Sequence, residues 1–145
     1  MKKAALALIA ATAAFAAQAR DTHQMYPIAD ALATPAAQEK LDKGVKLYFA
    51  GQKTPKPAKT FGEWKTNKKT NGFNKGDKEA CEWTFLSALL ELQERAIKEG
   101  GNAVINIKSN YKSQETASPT EYMCGSGALM SGVALKGTVV KLSGK

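Results

Sequence analysis

The chain has 145 residues, a formal charge of +8, two cysteines and one histidine. That length leaves room for one domain, and a lone imidazole near the N-terminal end argues against a histidine-dependent triad. The positive charge is local: setting aside Lys2 and Lys3 leaves 19 basic against 13 acidic residues, while Lys53 to Lys78 alone holds eight lysines against Glu63 and Asp77.

Lys2 and Lys3 form a basic head, Ala4 to Ala17 is an alanine-rich apolar run, and Ala17-Gln18-Ala19 offers the small residues that a signal peptidase needs. Residues 1–19 are therefore expected to be a signal peptide, with a single domain at 20–145 in the periplasm or secreted. The apolar run is shorter than the roughly 20 residues that span a bilayer. Position 20 is Arg, not the Cys of a lipoprotein.

Arg20 to Ala33, which carries His23, reads as an extended piece ending in a turn. Thr34-Pro35 opens a short helix, Thr as cap and Pro at the first helical position, running to Asp42 or Lys43 and ended by Gly44. Val45, Leu47 and Phe49 alternate with Lys46 and Tyr48, predicting a strand with one face inward. Pro55 and Pro57 make Gly51 to Lys59 an exposed connection. Thr60 to Thr66 returns as a second strand, and Asn67 to Gly76 is turn chemistry, with Asn71-Gly72 as a tight turn.

Asp77 to Ile107 organises the rest. Asp77 is placed to cap a helix and Glu79 favours its positive end. Trp83, Leu86, Leu90 and Ile97 recur at helical spacings, with Leu89 and Ala96 beside them, and Glu82, Glu91, Glu94, Arg95 and Lys98 take the other face. Gly100 or Gly101 closes the helix in the left-handed conformation. Ala103, Ile105 and Ile107 then form the apolar face of a strand to Lys108. Ser109 to Pro119 reads as a loop and Thr120 to Cys124 as extended. Val133 to Leu142 is the last strand, with a change of face that Gly137 absorbs as a bulge. The fold class is α+β: a small, mostly antiparallel sheet with one long helix on one face.

In an oxidising compartment Cys81 and Cys124 are expected to pair. The alternative is a reactive or metal-binding pair, which the absence of a CxxC disfavours. Catalytic motifs fail on inspection. Gly127 to Gly132 has Walker A glycine spacing, but Val133 and Ala134 stand where Lys and Ser or Thr belong, and Gly125-Ser-Gly127 lacks the third glycine of a dinucleotide fingerprint at Met130. No enzyme activity and no cofactor are expected. A soft ion such as Cu(I) would find His23, Met25 and either Met123 or Met130, but their spacing forms no ligand motif. Lys53, Lys56, Lys59, Lys65, Lys68, Lys69 and Lys75, interleaved with Phe61, Trp64 and Phe73, form a candidate surface for an anionic partner. Export makes nucleic acid an unlikely one and points to lipid head groups, lipopolysaccharide or an acidic protein.

The segment GGNAVINIKSNYKS, followed after a polar loop by EYMCGSGALMSGVALKG, resembles the RcsF and YbjQ-like group of small domains. Gly100 to Ile107 matches that group's strand entry after a helix, and Cys124 with Gly125 to Ala128 matches a Cys-x-Gly-Ser-Ala type of segment. A KLYFAGQKTPKP stretch with a KTNG stretch is similar to small exported proteins of unknown function, some labelled excinuclease ATPase subunits, a label that the failed Walker motifs do not support. The resemblance implies an α+β fold and, for the RcsF branch, sensing of envelope damage through protein contacts; YbjQ-like domains are sometimes called heavy-metal binding. Arg20 in place of a lipid-modified Cys, and two cysteines where that branch has more than one disulfide, set this chain apart. The expected function is an exported, non-catalytic interaction module in envelope homeostasis or stress sensing. The alternative is a binding protein for a soft metal ion or an anionic envelope component.

Overall fold

The computed structural model describes residues 21–72 and 75–143. The expected leader and Phe73 lie outside the described residues. Seven strands form one sheet: β1 (Thr22–Pro27), β2 (Lys46–Phe49), β3 (Pro57–Asn71), β4 (Ala103–Tyr111), β5 (Gln114–Thr116), β6 (Glu121–Ser126) and β7 (Met130–Leu142). The helices are α1 (Ile28–Leu32), α2 (Pro35–Lys40) and α3 (Asp77–Glu99). Strand β7 is the axis of the sheet, pairing antiparallel with β3 along one side and with β4 and β6 along the other. β1 adds to β6, β5 to β4, and β2 to β4 as the parallel pair. The class is thus α+β, with α3 lying on one face. Among the described residues no helix is long and apolar enough to cross a membrane.

Helix α3 begins at Asp77 as expected, but Gly76, which has no side chain to cap with, occupies the cap position. Its other end follows the sequence: Gly100 adopts φ 85° and the Gly101 amide donates to the Ala96 carbonyl. The inward face is only partly the one expected. Cys81, Phe85, Ala88, Leu89, Leu92 and Ala96 have no exposure, whereas Trp83 is 43% and Ile97 55% exposed; Leu86 is buried and Leu90 half-buried. At about 100° per residue the buried stripe is rotated by roughly a third of a turn from the expected one, so that Leu86, Leu89 and Ala96 belong to both. Two alanines and a cysteine let the helix axis approach the sheet closely, and the bond to β6 fixes which way Cys81 points. Trp83 stays outside, where the Lys40 ammonium sits 4.5 Å over its ring.

Helix α2 begins as read, with Thr34 Oγ1 accepting from the Ala37 amide. The extended piece before it is β1, and α1 replaces the expected turn. Three further expectations are corrected. β3 runs from Pro57 to Asn71, longer than 60–66, because pairing with β7 supplies partners that turn-prone residues lack locally; Pro57 is tolerated as its first residue. The region after β4 is a hairpin, with Lys112 and Ser113 at φ 51° and 62° between β4 and β5. The bulge belongs to β4, where Asn106 has φ 52° and the register against β7 slips between Ile105 and Lys108. That slip puts both Val104 and Ile107 into the core beneath α3. Gly137 lies opposite, and a Cβ there would stand 2.6 Å from Val104 Cγ1 and 3.1 Å from Ile107 Cγ1.

Candidate interaction surface

Cys81 of α3 and Cys124 of β6 form a disulfide, S–S 2.07 Å with the Cα atoms 5.9 Å apart. Both are buried beside the Phe85 and Tyr122 rings, which stack at 3.9 Å and 8°. The pair expected from the exported setting is a structural tie between helix and sheet, buried away from any partner.

The lysines divide among several surfaces. Lys53 and Lys56 lie in the connection before β3, and Lys59 sits 5.0 Å over the Phe61 ring. Along β3, Trp64, Thr66 and Lys68 point towards α3, where Lys68 pairs with Glu91 at 2.7 Å and the Arg95 guanidinium lies 5.6 Å over Trp64. Lys65, Asn67 and Lys69 are exposed on the helix-free face, opposite Lys136, Ala134 and Gly132. Lys75 lines a separate groove of about 300 Å³ with Thr34, Pro35 and Trp83. The structure therefore puts Lys59, Lys65, Lys68 and Lys69 on one strand, the last three within its regular stretch, and sets Lys53, Lys56 and Lys75 apart.

That strand is a free edge. β3 is paired with β7 on one side, and among the described residues no strand pairs with the other. From Glu63↔Thr138 to Asn71↔Met130 the register runs without interruption, beyond the irregularity at Gly62, φ 132°. A groove of about 400 Å³ opens along this edge between β3 and α3, lined by Trp64, Lys68, Glu91, Arg95 and Lys98 together with the buried Thr66, whose hydroxyl has no hydrogen-bond partner among the described residues.

On the helix-free face a charge network crosses four strands. Lys136 of β7 pairs with Glu63 of β3 at 3.4 Å and with Glu115 of β5, which also pairs with Lys108 of β4 at 3.3 Å. The Lys136 hydrogen bond, followed by that from Lys108, holds the Glu115 carboxyl below its ordinary range, and Glu115 in turn raises Lys136. Sequence reasoning missed Lys108, Glu115 and Lys136 because they meet only through strand register. Alternation of Lys65, Asn67 and Lys69 against Lys68 was the available sign that β3 continues to Asn71.

His23, Met25 and Met123 come together on this same face at the far side of the sheet, since Met25 pairs with Met123 and His23 with Gly125. Met130 stands elsewhere, opposite Asn71 at the start of β7. Among the described residues no three His, Cys, Asp or Glu side chains converge. The glycines of the failed phosphate motifs have a packing role: a Cβ on Gly125 would collide with the Tyr111 hydroxyl, and one on Gly132 would stand 3.4 Å from the same ring. No family model, no curated protein and no solved structure matches the chain.

Proposed function

We propose that the chain is an exported, non-catalytic interaction module that contacts an acidic envelope protein along the free edge of β3, in keeping with the RcsF/YbjQ-like resemblance and a role in envelope homeostasis or stress sensing. The carrying observation is the regular stretch Glu63–Thr70, which among the described strands pairs with β7 alone. Its outward amides and carbonyls are the template onto which an extended segment adds as another strand, with main-chain bonds supplying affinity and side chains specificity. Carboxylates on one face of such a segment meet Lys65 and Lys69, and one on the other face meets Lys68. The same lysines disfavour edge-to-edge pairing of two copies of this chain, since like charges would then face each other.

A photoreactive residue at Asn67, between the two exposed lysines, tests this in living cells. The expected product is a covalent adduct with an envelope protein, mapping to an acidic extended segment and weakened by Lys65→Glu with Lys69→Glu. Amide exchange across 63–71 slows when that segment is added to the purified chain. Protein adducts from a control position at Ile97 but none from Asn67 would overturn the edge as the contact. Lipid or lipopolysaccharide adducts with unchanged amide exchange would replace it with the second reading, an anionic envelope component held by the lysines without strand addition.

A further inference from the structure

Independently of the β3 edge, the structure places a soft donor set on the β1–β6 pair. Tyr26 and Tyr122 are cross-strand partners turned into the core, and Cys124 bonds to Cys81 beneath α3. By strand alternation the intervening residues His23, Met25, Met123 and Gly125 therefore face away from the helix. Met25 and Met123 are directly opposed and both half-buried. Opposed residues hold their Cβ atoms about 4.5–5.5 Å apart, and a methionine has three rotatable bonds with which to bring its sulfur to a common point. His23 is the next residue of β1 on that face, and its cross-strand partner is Gly125, over which the Tyr111 hydroxyl sits. The Tyr111 ring thus bounds the imidazole, 4.9 Å away at 79°.

The imidazole is also oriented. Its Nε2–H donates to Asp21 Oδ1 at 3.1 Å, and Asp21 Oδ2 accepts from Lys112 Nζ at 2.7 Å. In the neutral ring with that bond, Nδ1 carries the lone pair. A carboxylate on the far ring nitrogen is the usual partner of a metal-binding histidine.

We propose that His23 Nδ1 with the Met25 and Met123 thioethers forms a site for monovalent copper. Two thioethers and one neutral imidazole add no negative charge, and thioether sulfur selects a soft ion such as Cu(I); zinc sites draw instead on thiolate, imidazole and carboxylate. Met130 is excluded by the register: it lies level with Gly127, four residues along β6 from Met123, or about 13 Å at strand rise.

The test titrates the full chain, disulfide intact, with Cu(I) kept reduced by ascorbate against a colorimetric Cu(I) chelator. The expected result is one equivalent bound, weakened at least about tenfold by Met25→Leu with Met123→Leu and unchanged by Met130→Leu. Should the double variant fold poorly, the unaltered protein still decides the matter. On adding Ag(I), the methyl resonances of Met25 and Met123 and the ring resonances of His23 shift together while those of Met130 stay. Equal affinity in a folded double variant, or Ag(I) shifts that spare Met25 and Met123, would overturn the site.

Discussion

Gln93 and Asp42 are hydrogen-bonded to one another twice. The Asp42 amide donates to Gln93 Oε1 at 2.9 Å, and Gln93 Nε2 donates to the Asp42 carbonyl at 3.0 Å and to that of Val45 at 2.9 Å. A buried glutamine on α3 thus acts as a piece of backbone, satisfying the turn that delivers the chain into β2. Gln93→Leu keeps the volume and removes every one of those partners. The expected cost is about 2–3 kcal/mol, read as a lower urea midpoint with an unchanged slope. An unchanged midpoint would mean that water replaces the amide there.

Reducing the Cys81–Cys124 bond releases a loop with sequence separation 43. In the chain-entropy model a loop of that length contributes about 4 kcal/mol, a large share of a small domain's stability. Cys81→Ser with Cys124→Ser should therefore lower the midpoint sharply. A loss below about 1 kcal/mol would show that helix packing alone holds α3 in its orientation.

Tyr122 is 1% exposed and its hydroxyl has no hydrogen-bond partner among the described residues. Burial pushes its ionisation far above the ordinary 10. A raised folded value means that its contribution is fully present below about pH 10 and is lost as pH rises beyond the unfolded value. Tyr122→Phe removes a buried hydroxyl while keeping the ring on Phe85. The expected outcome is equal stability or a gain of up to about 1 kcal/mol at neutral pH, together with a shallower decline under alkali. A loss of more than about 1 kcal/mol at pH 7 would reveal a partner for that oxygen.

Glu115 titrates the opposite way. Held below the ordinary 4.5 chiefly by its hydrogen bond from Lys136, and then by that from Lys108, it contributes stability above about pH 4.5 that is lost as pH falls through its lower folded value. Glu115→Gln should flatten the acid side of a melting-temperature profile and leave the alkaline side alone. High salt should shrink the difference between the two proteins, because the carboxylates of the network are solvent-exposed.

The sequence by itself determined where α3 starts and stops, the Thr34 cap of α2, the last strand and the pairing of the two cysteines. Caps, glycine stops and hydrophobic period act within a turn or two of the chain, so the first three are legible locally, and two cysteines leave only one possible pair. Only the tertiary structure decided which stripe of α3 faces the sheet. Trp83 and Ile97 stay outside while Phe85, Ala88 and Leu92 go in, because interiors reward complementary shape over hydrophobicity alone. It also decided that β3 extends to Asn71, that the bulge falls at Asn106 opposite Gly137, and that Met25 lies beside Met123. Strand register joins residues far apart in the chain, and a one-residue slip exchanges the two faces, so no local pattern could have named those neighbours.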